Sequence, residues 1–331
     1  MSDTAPSPRR RRLLQSAAAA AALALLLWWL LPVGGGATPG GRVVLSTGVP
    51  TGVYEKYGKL LRADLRQDLP EVEVRLLHSQ GSIDNVQRLA SGKASYAIAT
   101  ADAVATYAAE GGAGAERLRA CARLYDDYMQ LVVPQGSPVR SARDLKGLRV
   151  GVGEDRSGVQ LITRRLLTAA GLDLDRDIRA SRVGIDRMTR LMRENRLDAF
   201  FWSGGLPTTA LQDLARNVPV QLVPLDDLAG PLYEQGERTR YYRPAVMPPD
   251  AYPWVQRGET VKTIAVANLL VTTEDADPAL TERITRTVIG SRDRIGEVVH
   301  AAQKVDLRTA VFTDPLRLHE GAARYYRSVK P

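Results

Sequence analysis

Residues 46–54 read STGVPTGVY, directly after the apolar run RVVL and directly before EKYGKLLRADL. Tyr54, Tyr57, Leu60, Leu61 and Leu65 recur at helical spacing, so the stretch is a strand-to-helix bend. A tight bend needs glycine and proline for its own backbone. A loop that offers backbone N–H groups to a small anion at a helix N-terminus needs the same residues for another reason. The rest of the chain bears on which job this bend has.

The pattern repeats. EVEVRLLHS alternates as a strand, SIDNVQRLASGK reads as a helix closed by Gly92, and ASYAIATAD leads into the helix AVATYAAE. A second series starts after PQGSPVRSARDLKG: LRVGVG, the helix SGVQLITRRLLTAAG, DIRASRVG, IDRMTRLMRENR, LDAFFWSG, LPTTALQDLAR and VPVQLVPL. Residues 226–261 are rich in Pro, Tyr and Gly and read as irregular, TVKTIAVANLLVTTE is a long strand, and the remainder is helical. Two βα series predict an α/β chain of two lobes with mainly parallel sheets and a ligand cleft between them. The expected divisions are a leader with a Gly-rich tether over 1–41, a first lobe over 42–134, a second over 135–261, and a return to the first over 262–331. The restart after Pro138 implies two sheets rather than one.

The loops that end strands are rich in short polar residues: STGVPTG, SQGSIDN (79–85), ATAD (99–102), GEDRSG (153–158) and WSGGLPT (202–208). Each alone is ordinary cap and turn chemistry. Together, on one edge of two sheets, they bring helix N-termini and hydroxyl groups to one cleft, a receptor for a carboxylate.

Composition sets the limits. The chain has 331 residues and a formal charge of +8, of which Arg9–Arg12 against Asp3 hold a disproportionate share. The body is mildly basic, with no dense Lys/Arg block and 6% aromatic residues, so nucleic-acid binding has no support. Arg9–Arg12 precede an apolar run from Ala17 to Val33 with Trp28–Trp29 at its interfacial end. That arrangement is a secretory signal or an uncleaved membrane anchor with the arginines inside, which places the body outside the membrane. Cys121 is the single cysteine, so there is no intrachain disulfide and no cysteine metal site. The three histidines fall in no H-E-x-x-H pattern, G-x-S-x-G is missing, and no metal or cofactor is expected. Gly151 and Gly153 in LRVGVGEDRSG match the start of a dinucleotide fingerprint, but Arg156 stands at its third glycine. An exported dinucleotide-dependent enzyme is the rival reading on that ground.

STGVPTGVYEKYGKLL, SQGSIDNVQRLASGKASYAIATAD, DLKGLRVGVGEDRSGV, LDAFFWSGGLPTTAL and LHEGAARYYRS, in that order and spacing, resemble successive landmarks of the TAXI family. The members of that family are extracytoplasmic solute-binding subunits of TRAP-type transporters. The resemblance runs from residue 42 to 328. It implies a two-lobed, type II periplasmic-binding-protein-like fold, no enzymatic activity, a small carboxylate ligand such as glutamate or glutamine, and a TRAP-type membrane permease as partner. A sensor of the same fold is the alternative.

Position by position, the resemblance assigns Gly48, Thr51, Gly52 and Tyr54 to the first ligand loop. Ser79, Gly81, Ser82 and Asn85 form the second, with Gln80 in place of a glycine. Thr100 and Asp102 follow the third strand. Ser157 and Gly158 form a fourth loop in which Arg156 replaces a glycine, and Trp202, Ser203 and Gly204 end a strand of the second lobe. Thr51, Ser82 and Ser157 are expected to meet a carboxylate, with Arg156 as a charged clamp. Asp102 either meets an amino group or caps its own helix. Trp202 packs on the ligand or in the core, and Tyr54 is a wall or a hydroxyl donor.

Overall fold

The computed structural model describes residues 41–329. The expected signal or anchor over the apolar N-terminal run lies outside the described residues. Among the described residues, no helix is long and apolar enough to cross a membrane.

The first series is β1 (Gly41–Ser46), α1 (Val53–Asp68), β2 (Val72–Leu77), α2 (Ser82–Ala90), β3 (Tyr96–Thr100) and α3 (Ala101–Ala109). β1 is flanked in parallel by β2 and β3. α1 buries Tyr57, Leu61 and Leu65, four residues apart, against that sheet. The helix lies so close that a Cβ on Gly58 would come within 2.6 Å of Thr47 Cγ2.

β4 (Leu118–Pro134) then runs for 17 residues. The second series is β5 (Arg149–Gly151), α4 (Gly158–Ala169), β6 (Arg179–Ser181), α5 (Ile185–Arg193), β7 (Ala199–Gly204), α6 (Thr209–Asn217) and β8 (Val220–Val223). β5 lies parallel to β6 and β7. The stretch expected to be irregular contains α7 (Ala229–Tyr233), β9 (Tyr242–Met247) and α8 (Pro253–Gln256). Among the described residues β9 pairs with β10 alone, and Pro244 hides its strand character, because proline is tolerated on such edges. β10 (Val261–Thr273) returns the chain, and α9 (Pro278–Gly290), α10 (Arg292–Gly296) and α11 (Glu320–Val329) close it.

The expectation of two separate sheets is corrected. One hydrogen-bonded path runs β2-β1-β3-β10-β4-β7-β5-β6, with β8 on β4 and β9 on β10. It is continuous because the two long antiparallel strands serve both ends. β10 pairs with β3 through Asn268–Val271 and with β9 through Val261–Val266. β4 pairs with β7 and β8 only from Tyr128 onward.

The apolar cores nevertheless separate at the middle of these strands. Tyr125 and Leu270 belong to the core under β1–β3, while Met129 and Val266 belong to the core around β5 and β7. The β4–β10 ladder changes register between Ala267 and Leu269, at the same level. Two lobes thus share a ribbon of two strands, pinched where the cores part. Cys121 is buried in the first core.

Candidate functional site

α1, α2 and α4 all begin at one cavity of about 60 Å³. Gly52, Val53 and Tyr54 reach it from α1, Gly81 and Ser82 from α2, and Ser157 and Gly158 from α4. Gly48 and Thr100 line it from the first lobe, and Trp202, Ser203 and Gly204 from the second. The first N–H groups of a helix have no partner within it and carry the positive end of the dipole. Three such ends at one cavity favour a negatively charged group.

The hydroxyl groups are used differently from the expectation. Thr51 is exposed, and its Oγ1 donates to the Asp186 carboxylate of α5 at 2.8 and 2.9 Å, joining the two lobes. Ser157 Oγ donates to Glu154 O at 2.6 Å and accepts from Gln160 N at 3.1 Å, capping α4. Ser82 Oγ lies 3.0 Å from Tyr54 Oη and accepts from Thr100 N at 3.2 Å. What these loops leave for a ligand is chiefly backbone N–H.

Ser79 and Asn85 stand behind the lining. Ser79 Oγ donates to Thr47 O at 2.9 Å and accepts from Gly81 N at 3.0 Å. Asn85 Nδ2 donates to Thr47 O and Ile98 O at 2.6 and 2.7 Å, while its Oδ1 accepts from Ser46 Oγ at 2.6 Å. These bonds hold the ends of β1 and β3 on the start of α2. Gly81, with φ +126°, has a conformation that side chains rarely adopt.

Arg156 does not enter the cavity. It lies on the outside, 3.5 Å from Asp84 Oδ1 and bonded to Gln87 of α2. Its φ of 67° is left-handed, a conformation that suits glycine better than arginine. The loop after β5 packs on α2 so closely that a Cβ on Gly158 would meet Ser82 Oγ at 3.0 Å. That approach leaves no gap for the pyrophosphate of a dinucleotide between them.

Asp102 neither faces the cavity nor caps α3. Its Oδ2 accepts from Tyr242 Oη at 2.6 Å and lies 3.8 Å from Arg165 Nη1. Arg165, 9% exposed, also donates to Tyr242 Oη at 2.8 Å, Arg238 O at 2.7 Å and Thr106 Oγ1 at 2.6 Å. This buried cluster joins α3 to α4 and β9.

Of the two roles expected of Trp202, packing in the core is the one the structure shows. It lines the cavity, packs in the core around Phe200 and Met188, and donates from Nε1 to Thr208 Oγ1 at 3.1 Å.

Sequence reasoning missed Asp127 and Glu154, both on the cavity wall. Asp127 stands on β4 at the junction of the lobes, and its Oδ1 accepts from Asn268 Nδ2 of β10 at 2.8 Å. Asn268 Oδ1 in turn accepts from Tyr54 Oη, so Ser82 is the donor in its contact with Tyr54. The chain Ser82–Tyr54–Asn268–Asp127 crosses the junction of the cores. Burial pushes the Asp127 carboxyl up to about 7, against the pull of Asn268 and Ser203, with Asp126 and Asp102 adding to the rise. Burial also raises Tyr54, and the Asp127 charge adds to it. The doublet Asp126–Asp127 inside an apolar strand was the available signal, because a carboxylate is seldom buried without a task.

The NMT1-like family pattern matches residues 45–329. Among solved structures, the chain is similar to an ancestral arginine-binding protein bound to arginine, with 16% identity, 78% of this chain and 98% of that one covered, and a TM-score of 0.50. It is similar to a protein of Bordetella bronchiseptica RB50 at 16% identity, with 88% and 90% covered and a TM-score of 0.50. The alkanesulfonate-binding protein SsuA from Xanthomonas axonopodis pv. citri, bound to MOPS, matches at 15% identity, with 89% and 86% covered and a TM-score of 0.49. At these identities the likeness is one of fold: α/β, two-lobed and periplasmic-binding-protein-like.

Proposed function

This chain belongs to the NMT1-like family, and we propose that its body is a non-enzymatic solute-binding protein that works outside the cytoplasmic membrane. It captures a small solute carrying a carboxylate between its lobes and hands it to a TRAP-type permease. One observation carries the reading: three helix N-termini from both lobes meet at one small cavity. Such a site binds an anion through N–H donors and dipoles, and closing two lobes on it is a familiar means of capture. The order of landmarks shared with the TAXI family supports the permease. Arg9–Arg12 before the apolar run support the location.

Thermal-shift screening of the full chain against amino acids and organic acids tests this. A ligand at a hundredfold excess over its dissociation constant stabilises the protein by about 2.7 kcal/mol, which appears as a clear rise in melting temperature. Val49→Trp, at a half-buried position on the cavity wall, should abolish that rise. A rise of equal size in Val49→Trp would put the binding elsewhere and overturn the reading.

A further inference from the structure

The charges on the cavity wall are one-sided. Asp127 and Glu154 line it, and no lysine or arginine among the described residues does. The nearby arginines are committed elsewhere: Arg123 and Arg243 both pair with Asp126, and Arg156 pairs with Asp84 on the outside. Among the described residues, Glu154 has neither a hydrogen bond nor an ion pair on its carboxylate, and its charged neighbour is Asp186, another acid. Burial and that neighbour hold the Glu154 carboxyl above the ordinary range. Asp127 is 4% exposed and, among the described residues, has only neutral hydrogen-bond donors, Asn268 and Ser203. A second, independent feature marks the same cavity as built for an occupant. Thr100, 3% exposed, lines it with a hydroxyl oxygen that has no partner among the described residues, and buried polar atoms are rarely left so.

We infer that the cavity holds an ammonium subsite at Asp127 and Glu154, and that its ligand is a compact solute with a protonated nitrogen and a net charge of zero or above. The inference rests on the reading of this cavity as the ligand site and narrows it. The helix ends take the carboxylate, and the two acids take the nitrogen. A buried carboxylate without a cation is costly, and a ligand that brings the cation removes that cost. A dicarboxylate without nitrogen places further negative charge beside Asp127 and Glu154 and is rejected. An acidic amino acid gains at the ammonium and loses at its second carboxylate, so it binds more weakly than a neutral one of similar size.

The test is calorimetry and thermal shift on the full chain at pH 7.5 with L-alanine, β-alanine, ethylammonium, L-glutamate, acetate and succinate. At least one of the first three should bind, more tightly than glutamate, while acetate and succinate give no shift. Asp127→Asn and, separately, Glu154→Gln should each weaken that binding at least tenfold. Glu154 sits in a partly exposed loop, so its variant keeps the fold even if the Asp127 variant does not. Succinate binding that is equal in the parent and both variants, and is abolished by Val49→Trp, overturns the inference and leaves the cavity as a binding site. Ammonium compounds that bind unchanged in both acid variants also overturn it. A panel with no shift at all counts against both the inference and the reading on which it rests.

Discussion

Asp127 couples the stability of the protein to pH. Its carboxyl is raised in the folded chain to about 7, against roughly 4 in an unfolded one. The folded state therefore holds a proton between these values that the unfolded state has released. The contribution of Asp127 to stability is greatest below pH ~4 and falls as pH rises towards 7. Each pKa unit is worth about 1.4 kcal/mol, so the loss amounts to a few kcal/mol. Around the carboxyl stand Tyr54 of α1, Asn268 of β10, Ser203 of β7, Asp102 of α3 and Asp126 on its own strand. Asp126 is itself held by Arg123 and Arg243. Asp127→Asn keeps the shape without the charge, so urea titrations at pH 5, 6, 7 and 8 should show a flatter pH slope than in the parent. An unchanged slope would assign the titration to another group. The sequence made the loops legible at this scale, because glycine and serine announce a bend, whereas the Asp126–Asp127 doublet signals a buried acid without saying which cavity it faces until the partner strand β10 is placed beside it.

Helix starts are the elements best specified by local chemistry. Ser157 caps α4 through Gln160 N, and loss of such a cap costs about 1 kcal/mol. Ser157→Ala should lower the urea midpoint accordingly, while Ser157→Thr, which keeps the oxygen, should stay close to the parent. Gly81→Ala should cost ~1–3 kcal/mol, because φ at that position is +126° and only glycine is at ease there. A midpoint unchanged by Gly81→Ala would mean that the loop has another conformation in solution. The same locality explains what was legible. SGVQ, GSID and GVYE each state a cap or a turn followed by an apolar face, and helices follow at all three. The start of β4 was not legible, since LRACARLYDD has neither alternation nor a stop signal and becomes a strand through pairing with β10.

At the scale of the molecule, Arg165, Asp102 and Tyr242 tie the lobes together away from the cavity. All three side chains are buried, and removing one partner of a buried ion pair costs about 3–5 kcal/mol, because it leaves an uncompensated charge. Arg165→Met should therefore destabilise strongly, and adding Asp102→Asn should restore most of the loss. Single effects that simply sum in a double-mutant cycle would show that the two groups do not act as a pair. The two-lobed plan was legible from the repeated βα series. The single continuous sheet was not, because strand order is a long-range property that no stretch of sequence states. That order also bears on how the chain comes to be folded at all. β10 lies between β3 and β4, so a chain still emerging from the ribosome, with residues up to 260 made, has β1, β2 and β3 but lacks the strand that joins them to β4. Synthesis runs from the N-terminus, and contacts of such long sequence separation form slowly. The half that is made first is thus among the last to be completed.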